Sequence, residues 1–138
     1  MTPRQPIRTQ RCGREEARSR LRDARAHLQV AELATPTSPP EEIKAAISSA
    51  VLAGIAAADA ACCQALGERA RGQDHLEAAS LVEQVAPEGS TAAKAFERLL
   101  SLKDEAQYGF ADLSGQRLQT SLRQARTLTA FAESVLER

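Results

Sequence analysis

Residues 67 to 78 read Gly-Glu-Arg-Ala-Arg-Gly-Gln-Asp-His-Leu-Glu-Ala, which crowds Arg69, Arg71, Asp74 and His75 into one short stretch between apolar flanks. A guanidinium can grip a phosphate at two points, because its N–H groups form a planar fork. Asp74 followed by Glu77 has the spacing of a capping box, so a helix is expected to begin at His75. A histidine at a helix N-terminus is favoured in its neutral form and lies beside free backbone N–H groups that suit an anion. Arg69, Arg71 and His75 are therefore candidate contacts for a phosphate.

Other polar residues sit where their surroundings make them conspicuous. Asp59 interrupts the run Ile-Ala-Ala-Ala-Asp-Ala-Ala-Cys. A carboxylate there either faces solvent or is buried against a cation, since an unpaired buried charge is costly. Lys103 and Gln107 are four residues apart and share a helix face, and Tyr108 follows in the last turn. Asp59, Arg71, Asp74, Lys103, Gln107 and Tyr108 are the candidate ligand-binding residues. The alternative reading is structural: Asp59 pairs with Arg69, Arg71 or Lys103, and the polar residues tie one end of a bundle shut. His27, on the first helix, has no second ligand beside it and is read as a packing residue.

The elements that must position these groups are helical. The chain has 138 residues, enough for one core, with no tryptophan, one tyrosine and three phenylalanines; alanine and leucine supply most of its apolar content. Residues 1–12 read as a flexible basic arm and residues 13–138 as one helical domain. Leu21, Ala24, Leu28 and Ala31 form a narrow stripe on a first helix. Thr35 to Pro40 is a linker by composition, and Ser38 with Glu41 is a further capping-box pattern. The second helix is expected to run about 40 Å to Leu66 and, apolar on more than one face, to be central. Gly67 is its natural stop. A short third helix ends before Pro87, a fourth spans residues 91 to 108 from a cap at Ser90, and a fifth runs from about Ser114 to the C-terminus. No strand pattern is evident. The fold expected is all-α, an up-and-down four-helix bundle with one additional short helix. With the second helix running upward, such a path starts the third and last helices and ends the fourth at its upper end, so that the polar candidates and the arginine-rich start of the first helix collect there.

Net charge is zero, but residues 1 to 25 carry eight arginines against three acids, leaving the remainder net acidic. Cys12, Cys62 and Cys63 have neither a zinc-ligand spacing nor the even count of a disulfide framework, which points to a reducing cytoplasm. Neither a signal peptide nor a membrane span is expected.

Taken together, the alanine-rich helix with Asp59 and Cys62, the stretch from Gly67 with its Asp74-His75 helix start, and Leu-Leu-Ser-Leu-Lys-Asp-Glu-Ala-Gln-Tyr-Gly at residues 99 to 109 resemble the HEPN superfamily of helical nucleotide-binding bundles. The likeness spans residues 14 to 138 and is greatest to the small, stand-alone actinobacterial-type members. Active members are metal-independent endoribonucleases that use an arginine followed four to six residues later by a histidine; Arg69 and His75 have that spacing, as do Arg20 or Arg22 and His27. Other members are non-catalytic binding modules or partners of minimal nucleotidyltransferases. The resemblance implies a cytoplasmic nucleotide- or RNA-binding module, possible membership of a toxin–antitoxin or defence pair, homodimerisation, and no cofactor or metal. The alternatives are a metal-independent endoribonuclease and a non-catalytic protein-interaction bundle.

Overall fold

Small side chains decide which helix lies at the centre. In the computed structural model, which describes residues 7–72 and 75–138, the chain runs β1 (Thr9–Arg11), α1 (Arg14–Ala31), α2 (Pro40–Leu66), β2 (Glu68–Ala70), α3 (His75–Glu83), α4 (Gly89–Leu100), α5 (Lys103–Tyr108) and α6 (Gly115–Leu136). The alanines of α2 let α1, α4, α5 and α6 approach its axis. At Gly54 the approach leaves no room for a side chain: a Cβ there would lie 2.4 Å from Leu99 Cδ2 and 3.2 Å from Leu128 Cδ1. Among the described residues α2 is the one helix long and apolar enough to cross a membrane, and most of that stretch is buried inside the bundle, as a core helix is.

The all-α bundle is as expected. The stripe on α1 faces inward, with Leu21, Ala24 and Ala31 buried and Leu28 partly so, and Leu99 on α4, Leu102 between α4 and α5, Ala106 on α5, and Leu118, Leu122, Ala125, Leu128, Ala132 and Val135 on α6 are buried as well. What differs is the path. Taking α2 as running upward, Arg20 meets Asp59 and Cys12 N–H donates to Gly67 O, so α1 runs down beside it. Arg25 pairs with Glu133 and Arg126 with Glu32, so α6 is antiparallel to α1 and runs upward. Its start, Gly115, packs on Pro36 at the foot of the bundle. The expectation that the last helix begins at the upper end is therefore wrong. The chain descends through α4 and α5 together, from Ala86, whose carbonyl accepts from Arg138, to Gly109, whose carbonyl accepts from Lys44 Nζ. The short α3 is the additional helix rather than a full pass.

The fourth helix expected over residues 91 to 108 is broken at Ser101–Leu102. Ser101 Oγ donates to Arg98 O, and Leu102 N–H reaches back only three residues, to Leu99 O, so the helix tightens there and restarts as α5. The start signals fare unevenly. Ser114 caps α6 by accepting from Arg117 N–H, and Gly67, at φ 72°, closes α2 in the left-handed region. Ser38 does not cap α2: Pro39 takes the cap position, and Ser38 Oγ accepts from Thr35 N–H to close the preceding turn. α4 starts one residue before Ser90, at Gly89, where a Cβ would stand 2.5 Å from Val82 O. The capping box expected of Asp74 lies outside the described residues.

Part of the basic arm is structured. Thr9, Gln10 and Arg11 pair antiparallel with Ala70, Arg69 and Glu68, forming the small sheet that sequence periodicity had not revealed. Cys12 N–H to Gly67 O and Arg71 N–H to Arg8 O extend the ladder at either end.

Candidate anion-binding site

The polar centre at the upper end of α2 is built on Asp59. Its Oδ2 accepts from Arg20 Nε at 3.1 Å and lies 3.4 Å from Arg69 Nη1, so a helix and a strand are pinned to one carboxylate. Arg20 is held from its other side by Asp23 at 3.0 Å. The Asp59 side chain is only 14% exposed, so the buried-against-a-cation reading of the sequence is correct. Burial pushes the Asp59 carboxyl above the usual aspartate range, and the Arg20 and Arg69 charges pull back without reversing it.

The cysteine reading requires correction. Cys12 and Cys63 form a disulfide that closes 51 residues of sequence and fastens the end of β1 to the last turn of α2. This removes the ground on which a reducing compartment was expected. Three cysteines do not exclude one bridge, and Cys62 is the one left over, a buried free thiol. Burial, with the Asp59 and Glu68 charges adding to it, pushes the Cys62 thiol up to about 12. A thiol so buried is a small core residue rather than a nucleophile.

Beside the disulfide opens a cleft of about 190 Å³ between β1, α1, the end of α2 and β2. Arg11, Arg20 and Arg69 line it, with Glu16, Ser19 and Gln10. Glu16 accepts from Gly13 N–H at 2.9 Å at the start of α1, and the backbone N–H groups around it hold its carboxyl below the usual range. Arg14, Arg18 and Arg22 are exposed along α1, and Arg8 and Arg71 lie exposed beside the sheet, so the cleft opens on a basic surface. Each guanidinium has five N–H donors. One serves Asp59 from Arg69, and one each serve Asp59 and Asp23 from Arg20.

The candidate residues do not all converge. Asp59 and Arg69 meet, and Arg20 joins them. His75, at the start of α3, instead lines a separate hollow of about 370 Å³ with Lys103, Leu76, Glu97 and Asp104. Gln107 and Tyr108 precede Gly109, which Lys44 ties to the foot of α2. Fifteen helical residues separate Lys44 from Asp59, about 22 Å of axis, so those two lie far from the cleft. Asp74 lies outside the described residues. Arg20 and Arg11 were not singled out as site residues, although the arginine-rich start of the first helix was expected at this end of the bundle.

A larger hollow of about 530 Å³ between α4 and α6 is lined by Glu88, Thr91, Ala92, Thr127, Ala130 and Phe131, and lacks a cluster of charge. Among the described residues no three His, Cys, Asp or Glu side chains are grouped so as to hold a metal ion. Compared with known proteins, the chain matches no protein-family model and no curated sequence.

Proposed function

We propose that this protein is a helical-bundle module that binds a phosphate-bearing ligand, a nucleotide or RNA, through the arginine cleft at the upper end of α2. The observation that carries the reading is that Arg20 and Arg69, from elements far apart in sequence, are fixed on one buried carboxylate and line a cleft with Arg11. A carboxylate that orients two guanidinium groups removes much of their side-chain entropy before a ligand arrives. The exposed arginines of α1 extend the positive surface to a length that suits a polyanion better than a lone phosphate. A role in a toxin–antitoxin or defence pair, a nucleotidyltransferase-type partner and a homodimer that joins two such surfaces remain compatible extensions of this reading.

The ribonuclease alternative asks Arg69 and His75 to act on one phosphate, yet they line different hollows. It ranks below binding for that reason. A protein-interaction role draws support from Val30 and Leu33, exposed at 54% and 82% beside a groove of about 250 Å³ that Ala45 and Ala46 also line.

The test is titration of the oxidised protein with labelled mixed-sequence RNA oligomers and with mononucleotides, at several salt concentrations. Binding should weaken linearly in log salt, with a slope of about 0.7 per phosphate contacted by a single strand. Arg69→Gln should weaken it further. Saturable mononucleotide binding with no gain from longer RNA would assign a small ligand; no binding of either by the folded protein would reject the reading.

A further inference from the structure

The disulfide joins two cysteines of different exposure. Cys63 is 2% exposed, whereas Cys12 is partly exposed, and both line the cleft that carries Arg11, Arg20 and Arg69. Cys12 is therefore the more exposed half of the bond, and an incoming thiolate approaches it through a cleft lined by three guanidinium groups and one carboxylate, Glu16, with Asp59 and Asp23 holding Arg20 and Arg69 from behind. Apart from the bond, β1 is held to the end of α2 through β2, which Arg69 anchors on Asp59. Two strands of three residues make a marginal sheet. Its other side-chain ties are Thr9 Oγ1 to Glu68 at 3.0 Å and, from the residue before β1 to α3, Arg8 to the partly buried Glu77 at 3.7 Å.

We propose that Cys12–Cys63 is a thiol-exchange site for a small carboxylate-bearing thiol, which adds to Cys12 and unlatches β1 from the end of α2. The thiolate attacks Cys12 Sγ, forming a mixed disulfide there. The Cys12–Cys63 bond breaks, its electron pair passes to Cys63 Sγ, and Cys63 takes up a proton. A second thiolate then attacks the thiol-derived sulfur of the mixed disulfide and releases Cys12, which is protonated in turn. Two small thiols are oxidised to their disulfide, and the protein disulfide is reduced to two thiols. The neighbouring Cys62 thiol, buried and held neutral, supplies no internal thiolate to reshuffle the bridge. The inference goes beyond the phosphate reading and does not depend on it, because it rests on the exposure of the sulfurs and the charge around them.

The experiment mixes the intact oxidised protein with reduced glutathione, with neutral 2-mercaptoethanol or with cationic cysteamine. Each reaction is quenched in acid at intervals and mapped by mass spectrometry. After correction for thiolate concentration, glutathione should open the bond fastest and cysteamine slowest, by roughly three- to tenfold at low salt. The first adduct should lie on Cys12, and Arg11→Gln, at an exposed position, should narrow the preference. Equal corrected rates for the three thiols, a first adduct on Cys63, or opening only under conditions that unfold the bundle would each overturn the proposal. Phosphate-ligand binding, measured separately, is not part of this outcome.

Discussion

Arg20 Nε donates to Asp59 Oδ2 across 3.1 Å, joining α1 to α2 over 39 residues of sequence. The same oxygen lies 3.4 Å from Arg69 Nη1, so the first helix, the central helix and the small sheet meet at one carboxylate. The cluster thus stands between fold and function. It closes the bundle end, as the structural alternative foresaw, and it fixes two cations at the mouth of a cleft.

Asp59→Ala should lower stability by about 1–3 kcal/mol in urea unfolding, because it leaves two guanidinium groups facing a hole. The figure lies below that for a fully buried pair, since the Arg20 and Arg69 side chains are 27% and 35% exposed and water screens them. Asp59→Asn, which keeps the shape and lacks the charge, should cost less. The pH dependence has a definite sign. Burial raises the folded carboxyl above its unfolded value, so the folded state holds the proton more tightly. The resulting stabilisation is complete below the unfolded pKa and is lost as pH rises through the folded one. Wild type should therefore lose ground to Asp59→Asn as pH climbs through and above the usual aspartate range; a gap that widens instead would contradict the burial argument.

Gly89→Ala should destabilise by about 1–3 kcal/mol. The new Cβ would stand 2.5 Å from Val82 O and 2.9 Å from Glu83 O, both backbone atoms that cannot swing aside. The start of α4 would have to move off α3. Thermal melting checks the cost, and an unchanged melting temperature would mean that this approach is looser than the contact distances state.

Much of this architecture was legible because it depends on local spacing. Leu118, Leu122, Ala125 and Leu128 recur at helical steps, and Gly67 can take a positive φ, so a helix face and a helix end followed from sequence. Asp59 among alanines announced a buried charge that needed a cation. Its main partner, Arg20, is contributed by tertiary packing and left no mark in local spacing. The Cys12–Cys63 bond likewise joins residues that only the antiparallel packing of α1 on α2 brings together. β1 and β2 are too short for an alternating pattern and exist because they pair with each other. The apolar spacing from Ala95 through Leu99 and Leu102 to Ala106 continues across the break between α4 and α5, so periodicity could not reveal it.

Cys12→Ser should cost about 2–4 kcal/mol, the range expected for freeing a loop of this length in the unfolded chain. Removing Cys12 rather than Cys63 leaves the buried wall of α2 intact. Hydrogen exchange should separate two effects: the α2 core amides, which exchange only through global unfolding, should accelerate in step with the lost stability, whereas the amides of residue 12 and Arg71, which donate to Gly67 O and Arg8 O, should also gain a local opening route. Core amides that exchange no faster would mean that the bridge adds nothing to global stability.

The division of the candidate residues between two hollows gives the sharpest contrast among the substitutions. His75 and Lys103 lie together beside α4 and α5, whereas Arg20 and Arg69 share the cleft at the end of α2. If phosphate is bound at that cleft, Arg69→Gln and Arg20→Gln should each weaken RNA affinity about fivefold to thirtyfold, the loss of a charge-assisted hydrogen bond or two. His75→Ala and Lys103→Met should leave it nearly unchanged. An RNA titration of the four variants, each checked for folding by circular dichroism, reads the difference directly. Equal losses from all four would require one ligand to span both hollows, and with it would return the possibility that Arg69 and His75 act on the same chain of phosphates.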